Sequence, residues 1–139
     1  MAVTRNATVP NPGVVRVNPK KGEYLHFRLE AAGPVPIFAF SSSLTGTLRK
    51  ASDFPGHPKK SYEWDHFKNP SEIQRRELLD LLMAFTTSEA YRYFVEICKS
   101  GGSSLKTVLD VKFTSDDPKD TASESFNVVT PVVTPKDKR

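Results

Sequence analysis

Apolar and polar residues alternate along Glu23–Ala31, "EYLHFRLEA". Leu25, Phe27, Leu29 and Ala31 fall on one side, and Tyr24, His26, Arg28 and Glu30 fall on the other. A period of two is that of a strand with one face buried. Two shorter signals flank it. "VVRV" (Val14–Val17) is β-branched and leads through the turn "NPKKG". "VPIFAFSSS" follows the turn "AGP", with Pro36 near its start suited to a sheet edge. Further on, "YRYFVEICKS" puts Tyr91, Tyr93, Val95 and Ile97 on one face. "GGSS" connects it to "LKTVLDVKF", where Leu105, Thr107, Leu109, Val111 and Phe113 oppose Lys106, Asp110 and Lys112. These two runs read as an antiparallel hairpin.

Between the third and fourth strands the period changes. Leu78, Leu81, Leu82 and Phe85 keep i, i+3, i+4, i+7 spacing, the apolar stripe of a helix. Ser71 and Gln74 have the spacing of a capping box. Pro70 precedes the cap and Glu72 sits in the first turn. The helix is expected to end near Thr86–Ser88. Residues 44–70 read as irregular, with Leu44, Leu48 and Phe54 dipping into a core and "PGHPKK" as a loop.

The order β-β-β-α-β-β predicts an α+β, mainly β fold. Its form would be an OB-like five-stranded antiparallel barrel or curved sheet, with one helix between strands three and four plugging an end. Residues 1–13 read as an extended arm, because Pro10 and Pro12 exclude a helix. Residues 14–113 form the OB-like domain. Residues 114–139 comprise a polar loop, a possible edge strand "FNVVTPVVTP" limited by Pro131, and a basic tail.

The chain has 139 residues, enough for one domain that needs no staple. Its formal net charge of +4 is mild for a dedicated nucleic-acid binder. One cysteine, Cys98, rules out an internal disulfide, and a reducing, cytoplasmic setting is the default expectation. His26, His57 and His66 lie at unrelated spacings, so no metal site and no cofactor are expected. No apolar leader is visible at the start, so secretion would require a signal already removed. No stretch approaches the roughly 18 apolar residues of a membrane-spanning helix, so membrane insertion is not expected.

No catalytic constellation appears: there is no G-x-S-x-G, no phosphate loop and no H-E-x-x-H. Asp116-Asp117 fits a solvated turn, and Cys98 fits a structural thiol. The match of Asn6-Ala7-Thr8 to a glycosylation site and of "RKAS" (Arg49–Ser52) to a phosphorylation site is of a kind common by chance. A non-enzymatic binding role is therefore expected.

Two groups of residues are candidates for it. Tyr62, Trp64, His66 and Phe67, with Lys59, Lys60 and Lys68, combine flat rings with charge, as sites for sugars or bases do. The same rings can instead pack over the helix and close the core, which suits Trp64 and Phe67 better than Tyr62 and His66. The second candidate is the polar face of the second strand, Tyr24, His26 and Arg28. It is joined by Lys20 and Lys21 in one loop and by Lys99–Ser104 in another. This face can equally be an ordinary wet sheet, or, with Arg28 and Glu30, an interface between subunits.

The run "RRELLDLLMAFTTSEAYRYFVEICKSGGSSLKTVLDVKF" resembles the second half of the OB-fold B subunits of bacterial AB5-type toxins and related small OB-fold proteins, and "GVVRVNPKKGEYLHFRLEAAG" fits their first hairpin. The resemblance lies in hydrophobic pattern over about residues 13–113, and no motif transfers residue by residue. It implies a ring of identical subunits with edge strands paired across interfaces and helices lining the centre. It also implies glycan binding rather than catalysis. The chain departs from these subunits in showing no signal and in giving Cys98 no disulfide partner. The reading that follows is a self-assembling, homo-oligomeric binding domain for an extended ligand such as a glycan. A single-stranded nucleic-acid module and a structural coat or shell subunit are the alternatives.

Overall fold

The structure, a computed structural model, describes residues 3–35, 37–42, 48–66, 75–85, 90–99, 101–115, 117 and 119–130. It contains ten strands: β1 (Thr4–Val9), β2 (Val14–Arg16), β3 (Glu23–Val35), β4 (Phe38–Ser42), β5 (Leu48–Lys50), β6 (Lys59–His66), β7 (Arg75–Ala84), β8 (Ala90–Lys99), β9 (Ser103–Thr114) and β10 (Thr121–Thr130). Short 3-10 turns at Pro19–Lys21 and Ala51–Asp53 join some of them.

The strands form two five-stranded sheets. The first has the order β1-β9-β8-β3-β6 and the second β2-β10-β7-β4-β5. Every pairing is antiparallel except β2 with β10. The inner faces meet in one core. Phe27 of β3 lies 4.9 Å from the ring of Phe40 and 6.4 Å from that of Phe126, both in the other sheet. The expected OB-like barrel with a helix is thus replaced by a sandwich of two open sheets.

The largest correction is at residues 75–84, which are a strand and not a helix. Both periods are written into "LLDLLMAF". Leu78, Leu81, Leu82 and Phe85 satisfy the helix, whereas Leu79, Leu81, Met83 and Phe85 satisfy the strand. The second set is buried, with Glu77, while Leu78 and Leu82 are exposed. Pairing with β10 on one side and β4 on the other supplies the backbone ladder, and this tertiary context overrides the local helical preference. The proposed cap at Ser71 and Gln74 lies outside the described residues. The central helix that the resemblance to toxin B subunits implies is absent over residues 75–84.

Three further expectations change. Residues 4–9, expected as part of an extended arm, are a strand paired with β9 at the edge of the first sheet. Residues 48–50 and 59–66, expected as irregular, are β5 and β6. The terminal strand, expected at an edge, lies inside the second sheet between β2 and β7 and contributes Phe126 and Val128 to the core; Pro131 lies outside the described residues. The hairpin of β8 and β9 forms as expected, turning on Gly101 and Gly102 at φ +97° and +88°, conformations open to glycine at little cost. No described helix is long and apolar enough to cross a membrane.

Candidate functional site: a cationic cleft at the edge of the sandwich

The residues singled out in sequence do not come together. The alternation of β6 sends Tyr62 and Trp64 inward, where they are buried. The Tyr62 hydroxyl donates to the carbonyl of Val35 and accepts from the amide of Lys59 at 2.7 Å. The Trp64 ring stacks on Phe27 at 5.4 Å and on Phe38 at 5.5 Å. Neither ring offers a flat face to a ligand. Lys59 and Lys60 are exposed at the start of the same strand, and Lys99 is exposed at the far end of β8. Tyr24 is buried opposite Cys98. Phe67 and Lys68 lie outside the described residues.

His26 and Arg28 lie on the outer face of the first sheet, within a lattice of charge pairs. His26 bonds Asp65 through Nδ1 at 2.7 Å and Glu63 through Nε2 at 2.8 Å. Burial lowers the affinity of this imidazole for a proton, but the two carboxylates outweigh it and hold the pKa above its ordinary value. Arg28 lies 3.7 Å from Glu30 and 3.9 Å from Glu63. Arg92 forks onto Asp110 with two hydrogen bonds of 2.8 Å. Both guanidiniums lie over the Phe94 ring, at 5.3 and 5.1 Å. His26, Arg28 and Arg92 on this face already meet acids, so these three cations offer little free charge to an anion.

Between the sheets, the Glu77 carboxylate, 1% exposed, accepts from the Ser42 hydroxyl at 2.6 Å and meets His66 Nε2 at 2.8 Å. Activation of a serine needs the imidazole between hydroxyl and acid. Here the acid stands between the other two, an arrangement that ties β4, β6 and β7 together. Cys98 is buried, and burial first and Glu96 second push its thiol up to about 11, so little thiolate exists at neutral pH. Among the described residues, no cluster of three metal-ligating side chains occurs.

A concave feature lies elsewhere. A cleft of about 560 Å³ opens where the edge strand β2 meets the β8–β9 hairpin of the opposite sheet. Arg16, Arg76 and Lys106 contribute its charge, and among the described residues no acidic one lines it. Pro12, Val14, Val15, Ile97 and Val108 contribute apolar wall. Val129 of β10 pairs with Arg16 on one side and Arg76 on the other. The two arginines therefore share a face, two strand spacings or roughly 10 Å apart. Among the described residues neither arginine nor Lys106 has an ion-pair partner.

Lys106 is brought to the cleft by irregular pairing. The register between β8 and β9 slips twice, leaving Leu105 and Val108 without partners of their own. Beyond the slips, Val108 and Leu109 are both buried, Leu105 is exposed and Lys106 lies opposite Ile97. Strict alternation had placed Leu105 with the core and Lys106 with Asp110 and Lys112.

In sequence these cations carry no common signal. Arg16 sits in a short β-branched run, Arg76 in a supposed helix and Lys106 in a hairpin. No known protein family, curated protein or solved structure matches the chain.

Proposed function

We propose that this protein is a non-enzymatic binding domain and that its cleft takes an anionic ligand. Arg16, Arg76 and Lys106 meet the negative charge, and Val14, Ile97 and Val108 pack against the rest of the ligand. The observation that carries this reading is that three cations from both sheets line one concavity with no acid among its described lining residues. On the outer face of the first sheet, by contrast, Arg28 and Arg92 are matched to acids. Unmatched cations held beside an apolar wall attract an anion more strongly than the same cations in open water. The volume suits a small ligand or one segment of a longer one.

Among the ligands open to the sequence, this favours a phosphate- or carboxylate-bearing one over a neutral sugar. The rings that would have stacked on a sugar, Tyr62 and Trp64, are core residues. The described lining of the cleft also includes no aromatic residue, so a nucleic acid would be held there by its phosphates and not by base stacking.

The test is calorimetric titration of the protein with a short oligothymidylate, with inorganic pyrophosphate and with a neutral oligosaccharide, at two salt concentrations. The expected result is binding of an anionic probe that weakens with salt and is lost in Arg16→Ala and Arg76→Ala, with no response to the sugar. Sugar binding that both substitutions leave intact would overturn the reading, as would no binding of either anion.

A further inference from the structure

The outer faces of the two sheets differ in kind. The first carries His26, Arg28, Glu63, Asp65, Arg92 and Asp110 in a matched lattice suited to water. The second is sparsely charged. Down its central strand β7 the outward residues are Arg76, Leu78, Asp80, Leu82 and Ala84. Leu78 and Leu82 are 39% and 46% exposed. Most of the side chains beside this row are small: Ser123 and Ala39 flank Leu82, Ser125 and Ser41 flank Asp80, and Asn127 lies beside Leu78. Such side chains let another surface approach closely.

Two charges on this strand lack partners. Among the described residues neither Arg76 nor Asp80 makes a side-chain hydrogen bond or ion pair. They cannot pair with each other within one chain, because four strand residues separate them by roughly 13 Å. Asp80 is also half-buried, and burial pushes its carboxyl above the ordinary value.

We propose that two copies of this chain pair through the outer face of the second sheet. Their β7 strands run antiparallel across a two-fold axis at Leu78, so that Arg76 of each copy meets Asp80 of the other.

The charge pattern selects both partner and orientation. Arg76 and Asp80 lie one outward position, two residues, to either side of Leu78. A two-fold axis lying in the plane between the sheets and crossing β7 at Leu78 brings each arginine over the opposite aspartate and the two leucines into contact. Stacking the strands parallel would set arginine on arginine and aspartate on aspartate. A face with opposite charges placed symmetrically about an apolar centre complements itself, which an isologous dimer requires. Sheets stacked about 10 Å apart leave room for the leucines in the middle, and arginine is long enough to span the gap. The inference does not depend on the anion reading, since it concerns the protein without ligand.

The experiment is sedimentation equilibrium of the full chain, free of ligand, over a wide concentration range. Wild type, Arg76→Asp, Asp80→Arg and the double exchange are compared, with circular dichroism to confirm that each folds. The expected result is a reversible dimer in the wild type, weakened about tenfold or more by either single reversal and recovered to within a few-fold in the double exchange. Leu78→Lys, at an exposed position, is expected to abolish the dimer while leaving the fold intact. A wild type that stays monomeric at every concentration would overturn the proposal. So would a dimer indifferent to the single reversals, or a double exchange no better than the singles.

Discussion

Arg5 and Glu124 clasp the two sheets. From the edge strand of the first sheet the Arg5 guanidinium donates hydrogen bonds of 2.9 and 2.7 Å to the two oxygens of Glu124, whose side chain on the inner face of β10 is 5% exposed. The side-chain amide of Asn11 donates to the same carboxylate at 2.7 Å. The carboxylate, lying among inner-face residues, is tolerated because its oxygens are matched. Arg5→Ala leaves that charge held by Asn11 alone and is expected to cost about 2–3 kcal/mol, somewhat below a fully buried broken pair. Urea unfolding checks this, and a loss under about 0.5 kcal/mol, the size of an ordinary surface change, would mean the clasp is immaterial.

His26 makes stability depend on pH. Its imidazole faces Asp65 and Glu63 on β6, and Glu96 lies opposite it on β8. Its pKa in the folded protein lies above the ordinary 6.5. The stabilising effect is therefore complete below about pH 6.5 and fades as pH rises through the folded value. His26→Gln should destabilise the protein near pH 5 and make little difference near pH 9. Water screens this partly exposed site, so the effect is at most about 1 kcal/mol. Melting curves of both proteins across that range are the check; an equal gap at both ends would show that His26 acts by packing alone.

Trp64 is a structural residue. It lies among Phe27, Phe38, Phe40 and Phe54, and its buried indole N–H has no hydrogen-bond partner among the described residues. Trp64→Phe thus removes ring volume but no hydrogen bond, and about 1–2 kcal/mol of lost stability is expected. Trp64→Ala should cost about 3–5 kcal/mol. A cost below about 1 kcal/mol for the alanine variant would place the ring at the surface instead.

Arg76 links the two proposals. It lines the cleft and lies on the face where two copies would meet. One side chain cannot satisfy an anion and Asp80 of a second copy at once, so the two events compete. Sedimentation at a fixed protein concentration should show the dimer dissociating as pyrophosphate is added. An inert salt at the same ionic strength should give a smaller shift, and an equal response to both would dissociate the two sites.

The strand at 23–31 and the β8–β9 hairpin were legible in the residues alone. In β3, alternation is regular and only one partition of faces buries the leucines and Phe27. In the hairpin, two glycines at the turn allow the backbone to reverse. The choice of strand over helix at 75–84 was not legible, because "LLDLLMAF" presents an apolar face at either period. A helix closes its hydrogen bonds within itself, whereas β7 closes them on β4 and β10, 37–55 residues away in the chain. Tyr62 and Trp64 show the same dependence. Their two-residue spacing was visible, but only the pairing of β6 with β3 decided that both rings point inward. The cleft was the least legible feature. It needs Arg16 and Arg76 brought to either side of Val129, and a slipped register that carries Lys106 toward Ile97. Alternation within a strand is a local property of the backbone and can be read from sequence. Which strands become neighbours, and where a bulge shifts the count, depend on the free energy of the whole packed sandwich.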